Sequence, residues 1–155
     1  MGDFLKSPSV DGVVISPLKI ITDERGSVLH MLKSTESLFD KFGEVYFSEI
    51  LSGAVKAWKK NKKLSQNLTV PVGMINLAIY DDRRNSRTRG NIFDCLLGRP
   101  DHYYLIHIPP MLWYGFQGLG NTPSLVANCP NRSHDPSESE KIPPESKFIP
   151  YNWVG

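Results

Sequence analysis

Short apolar runs separated by Gly, Pro, Asn, Asp and Ser recur along the whole chain. GVVIS, SVLHMLK, EVYFSEIL, GAVKAW, GMINLAIY, NIFDCLL, YYLIHIP and SLVANC are rich in Val, Ile, Tyr and Phe. Such residues suit a pleated, half-buried surface, and the turn formers on either side mark each run as a strand. One segment, STESLFDKFG at residues 34–43, reads as a short helix, with Ser34 or Thr35 as N-cap and Gly43 just past its end. Many short strands at close, even spacing predict an all-β sandwich or barrel. From Pro130 onward the chain is polar and proline-rich, yet it ends in Tyr151 and Trp153. Those aromatics predict a tail packed back onto the strands, a mobile tail being the alternative.

Composition narrows the class without naming a function. At 155 residues the chain reads as one domain, 1–155, long enough for one core. A hydrophobic share of 40% and a charged share of 22% are those of an ordinary globular protein. The net charge of +2 gives no reason to expect a nucleic-acid partner. Cys95 and Cys129 form no disulfide framework and no Cys-x-x-Cys motif. Residues 1–12 contain no apolar stretch resembling a leader, and no segment approaches membrane-spanning length. The expectation is a cytoplasmic protein with reduced thiols and no membrane partner.

Charge is unevenly placed, and that changes the picture. The run KAWKKNKK at residues 56–63 begins as a core strand and turns into lysines. It lies inside a spaced pattern: Gly53, Lys59, Asn61, Gln66, Gly73. This is the spacing of the first cupin motif, Gly-x5-His-x-His-x4-Glu-x6-Gly, with both glycines kept and all three metal ligands replaced. Further on, HIPPMLWYGFQ supplies a turn at Pro109-Pro110-Met111, with Tyr114 where the second motif carries its histidine. An ammonium, two carboxamides and a phenol make a poor divalent-metal site, so no metal is expected.

Four stretches in order, DERGSVLHMLK, FGEVYFSEILSGAVKAW, VPVGMINLAIYDDR and IPPMLWYGF, resemble the dTDP-4-dehydrorhamnose 3,5-epimerase family of cupins. The resemblance implies a cupin-type jelly-roll β-barrel, no cofactor, a nucleotide-diphosphate sugar as ligand, and a homodimer formed through β-strands. Family chemistry takes a proton from a carbon beside a ketone and returns one, which needs a base, an acid and a cation near the enolate. By this resemblance the base position falls on Lys59, the enolate-supporting lysine on about Gln66, and the acid tyrosine on about Ala127. The carboxylate partner would lie in KIPPES, where Glu145 is the candidate, and Tyr114 replaces a further histidine. Ordinary 3,5-epimerase activity is therefore not expected. Lys59 and Tyr114 remain the candidates for altered proton transfer, and a non-catalytic nucleotide-sugar-binding module is the rival reading. Arg25 and Lys56 fall where cations meet the diphosphate; Glu44, Tyr46 and Gln66 fall near the sugar nucleotide.

Alternation raises one difficulty. If Lys59 faces the lumen, Lys56 and Trp58 face away, unless the strand twists or bulges between them. The other reading of the run is a solvated hairpin, and Lys60, Lys62 and Lys63 are expected to face water.

Overall fold

In a computed structural model that describes residues 6–154, the chain forms twelve strands, which include the apolar runs read from the sequence. The first five residues of the stretch inspected for a leader lie outside the described residues. The strands are β1 (Val14–Pro17), β2 (Ile20–Asp23), β3 (Gly26–Leu29), β4 (Tyr46–Ile50), β5 (Val55–Asn61) and β6 (Gln66–Val72). They continue with β7 (Met74–Tyr80), β8 (Ile92–Gly98), β9 (Tyr104–Ile108), β10 (Trp113–Gly118), β11 (Ser124–Asn128) and β12 (Ser139–Lys141).

Two five-stranded antiparallel sheets result, ordered β1-β9-β6-β11-β4 and β12-β5-β10-β7-β8, while β2 and β3 form a separate hairpin. This is the jelly-roll that the resemblance implied. Leu68, Val70, Ile75, Leu77, Ile79, Phe93, Ile106, Ile108 and Val126 fill the space between the sheets. Removing that apolar surface from water is the main drive to fold.

The motif glycines have physical work in this frame. Gly53 and Gly73 take φ of +79° and +83°, a left-handed conformation that side chains disfavour. At Gly73 there is also no room, since a Cβ would lie 2.2 Å from Ser124 Oγ. Met111 closes the turn after Pro109 and Pro110 with φ of +71°, the conformation a glycine there would adopt freely.

The segment 34–43 is not helical. It makes single turns, Glu36 to Lys33 and Phe39 to Glu36, and then continues without regular structure. Gly43, read as the residue past a helix end, instead lies against the tail: its N–H donates to the Pro130 carbonyl, and a Cβ would meet the Arg132 backbone at 2.2 Å. Among the described residues the helical element is a single 3-10 turn, Pro136–Glu138, and no helix is long and apolar enough to cross a membrane.

The tail packs back. Trp58 reaches the outer face of its sheet, where Tyr151 and Trp153 cover it at ring separations of 5.9 and 5.2 Å. The Tyr151 hydroxyl accepts from Asn76 Nδ2 at 2.6 Å and donates to Asp94 at 3.0 Å. The same tail supplies β12, which pairs with β5.

Candidate functional site

A bulge in β5 decides what reaches the lumen. Lys59 pairs with Tyr114 of β10, and Lys56 pairs with Phe116, so Ala57 and Trp58 together oppose Gly115. Gly115 is small of necessity: a Cβ there would stand 2.4 Å from the Ala57 Cβ. The extra residue restores the phase, and Lys56 and Lys59 line the same cavity.

That cavity, of about 360 Å³, opens between the two sheets. Its walls carry three ammonium groups, Lys56, Lys59 and Lys141, together with Tyr46, Ser48, Tyr114 and Asn128. Leu68, Phe116 and Val126 make the apolar part, and among the described residues no carboxylate lines it. Lys59 stands in register between Tyr114 on one side and Lys141 of β12 on the other. Burial, and then the like charge of Lys141, push the Lys59 ammonium below the usual lysine range; the Glu44 carboxylate opposes this more weakly.

Behind the wall runs a chain of amides and phenols. Asn128 Nδ2 donates to the Tyr46 hydroxyl and to Gln66 Oε1, both at 2.8 Å. Gln66 and Asn61 lie close enough to the Tyr114 hydroxyl to offset part of the rise that burial gives its pKa. Burial pushes both phenols up from their ordinary value, so each stays protonated at neutral pH. Asn128 Oδ1 is buried without a partner, an acceptor left over after its amide hydrogens are used.

The residues singled out from the sequence thus divide. Lys59, Lys56, Tyr46 and Tyr114 meet at the cavity, and Gln66 stands just behind it. Arg25 does not join them: its side chain is 84% exposed, its guanidinium pairs with Asp23 at 2.7 Å, and it sits on the separate β2–β3 hairpin. Glu44 accepts from the His134 N–H at 2.6 Å and so pins the tail rather than lining the cavity. Glu145 faces a different groove, with Val55 and Trp153. Ala127 lies between the two lumen-facing residues Val126 and Asn128, and alternation turns it outward.

Lys60 corrects the expectation of a solvated hairpin. It is 8% exposed, its Nζ is 4.9 Å from the Trp113 ring centroid, and Asp82 and Glu140 lie 3.5 and 3.4 Å away. Lys62 and Lys63 are exposed and pair with Glu140 and Glu138 of the tail. Sequence reasoning missed Lys141 and Asn128. Asn128 was within reach, two residues after a core valine in a strand; Lys141 carried no signal, since its strand lies inside a proline-rich tail.

At the four positions where metal-binding cupins carry ligands, Lys59, Asn61, Gln66 and Tyr114 do not fit a divalent ion. A cation would face an ammonium, and Gln66 Oε1 already accepts from Asn128 Nδ2. Among the described residues no three His, Cys, Asp or Glu side chains converge in a metal-sized group.

Comparison with known proteins places this geometry. No family model matches the chain. A solved structure of a dTDP sugar isomerase from Desulfovibrio desulfuricans superimposes with a TM-score of 0.93 at 48% identity, over 95% of this chain and 94% of that one. The probable low-salt glycan biosynthesis epimerase Agl13 of Haloferax volcanii is 31% identical over 94% of this chain and 96% of its own length. The spore coat polysaccharide biosynthesis protein SpsL of Bacillus subtilis is 28% identical over 93% and 96%. With the jelly-roll, the motif glycines and the bulged lysine strand in place, the chain belongs to the dTDP-4-dehydrorhamnose 3,5-epimerase-like family of cupins, the sugar isomerases and epimerases of nucleotide-sugar and polysaccharide biosynthesis.

Proposed function

We propose that the chain binds a nucleotide-diphosphate-linked 4-keto sugar and moves a proton at a carbon beside the ketone, in the cytoplasmic synthesis of a polysaccharide. The observation that carries this reading is the setting of Lys59: an amine held in a cavity that no carboxylate of the described residues lines, next in register to the Tyr114 phenol. A carbon beside a ketone becomes acidic only when charge on the oxygen is stabilised, and the Lys56 and Lys141 ammonium groups supply that field. Lys56 and Lys141 are the cations at hand for the diphosphate, each a point charge without arginine's two-pronged fork. Lys56 is already oriented, donating to Ser48 Oγ at 2.9 Å.

The test is incubation in heavy water with dTDP- and CDP-linked 4-keto sugars. Deuterium is expected at a carbon flanking the ketone, and Lys59→Met is expected to slow its entry about 10²–10⁴-fold, the usual share of an acid–base group. No exchange with any of these sugars at high protein concentration ends the catalytic reading. Thermal stabilisation by dTDP without exchange would favour the binding module instead.

We further propose a homodimer. β4 is an edge strand, and its outward residue Phe47 is 63% exposed, with Phe42, Val45 and Leu51 also exposed nearby in sequence. An apolar, unpaired edge is the surface that strand-to-strand association covers.

A further inference from the structure

An amine can act on a ketone as a base or as a nucleophile, and the surroundings of Lys59 discriminate between them. Five lysines lie between residues 56 and 63, and four are engaged: Lys56 by Ser48, Lys60 by Asp82 and Glu140, Lys62 by Glu140, and Lys63 by Glu138. Among the described residues Lys59 Nζ has no hydrogen-bond or ion-pair partner. A general base in such a site is ordinarily aimed by a third group, usually a carboxylate, and among the described residues none lines this cavity. Lys59 has instead an apolar wall of Leu68, Phe116 and Val126, and a second ammonium, Lys141, in register beside it. Desolvation and a cationic neighbour are the two conditions that leave a lysine with a free lone pair and make it a nucleophile toward carbonyl carbon.

Taking the keto-sugar reading as its premise, we propose that Lys59 attacks the keto carbon and carries the sugar as a protonated Schiff base. The neutral Nζ adds to the carbonyl carbon as the carbon–oxygen double bond opens, and the oxygen takes up a proton. The carbinolamine then loses water and becomes an iminium. Tyr114 gives the proton on which the carbinolamine loses its water, so its phenolate takes the proton of the neighbouring carbon while the iminium nitrogen serves as electron sink; the enamine that results regains a proton from a phenol on either face. Addition of water restores the ketone and the amine. The water released is the water consumed, and no oxidant or reductant takes part.

Two phenols stand ready for the proton steps. Tyr114 neighbours Lys59 on the same sheet, and Tyr46 stands on β4 in the other sheet. A nucleophile on one wall with a proton carrier on each side of the lumen is what exchange at that carbon requires. Lys141 is a positioning residue in this scheme, acting on the amine and not on the sugar.

The test uses the full chain with dTDP- and CDP-linked 4-keto-6-deoxy sugars and sodium cyanoborohydride, which reduces an iminium and spares a free ketone. Intact mass and peptide mapping read the product, and heavy-water exchange runs in parallel. The expected result is one adduct, heavier by the mass of the sugar nucleotide less one oxygen, mapped to Lys59 and lost in Lys59→Arg. Because the mapping is done on the unaltered chain, the result does not depend on that variant folding. Exchange without an adduct overturns the Schiff base and leaves the functional reading standing, with Lys59 a base. Adducts spread over surface lysines, or confined to Lys56 or Lys141, also overturn it. An adduct at Lys59 without exchange supports the covalent step and removes proton transfer from the functional reading. Neither adduct nor exchange removes both.

Discussion

At the scale of single residues, Lys59 sets a function against the fold that holds it. Burial and the Lys141 charge depress its pKa, so below that folded value the side chain is charged in both folded and unfolded states, and the folded state bears the penalty. Between the depressed folded value and the ordinary unfolded value, the unfolded chain binds more protons, and stability rises with pH. Replacement by an apolar side chain of similar length removes the penalty. Lys59→Met is therefore expected to raise the thermal midpoint at neutral pH, by about 2–4 °C for each kcal/mol released in a chain of this size. The gap from the unaltered protein should narrow as pH climbs through the alkaline range; a gap that stays constant or widens would show that the ammonium is not penalised. Trading stability for a poised group in this way is common at active sites.

At the scale of elements, β12 does more than cover an edge. It joins Lys141 to the cavity in register with Lys59, and Tyr114, Lys56, Tyr46 and Glu44 are the other titratable groups around that amine. Lys141 lowers the Lys59 pKa and Glu44 raises it, so Lys141→Gln should move the rising limb of the pH–rate profile to higher pH. Glu44→Gln should move it the other way. Coincident profiles would mean that β12 has no electrostatic hold on the site. The sequence made part of this visible and hid the rest, for definite reasons. Strands such as β4, β7 and β8 announce themselves because β-branched and aromatic residues sit between turn formers. The strand β6 begins Gln-Asn and contains Pro71, and β10 contains two glycines, so both escape a reading based on propensity. Residues 34–43 satisfy the local rules for a helix, but the close approach of Gly43 to the Arg132 backbone belongs to tertiary structure. The candidate site was legible where a motif fixed the spacing, as at Lys59, Gln66 and Tyr114. The bulge that unites Lys56 with Lys59 depends on a register against β10, and the place of Lys141 depends on where a proline-rich tail lands.

At the scale of the whole molecule, the two sheets leave four edges, and they are not equally protected. The β12 edge belongs to the packed tail, whereas β4 presents Phe47 outward while Tyr46 and Ser48 face the cavity on the same strand. Strand pairing across this edge would cover Phe47 and, through β4, stiffen the wall that holds Tyr46 against Asn128. Assembly and site are thereby linked through one strand. A glutamate at position 47 would place a charge at the centre of that contact, where like charges from two copies would meet and lose their water together. Phe47→Glu is expected to weaken the dimer at least ~10-fold, equivalent to about 1.4 kcal/mol, by sedimentation across a concentration series. Because residue 47 points away from the cavity, the monomeric variant should still exchange deuterium into a keto sugar, at a lower rate if Tyr46 is loosened. If the unaltered chain sediments as a monomer at every concentration, the exposed edge has some other partner and Tyr46 is held by its own sheet alone.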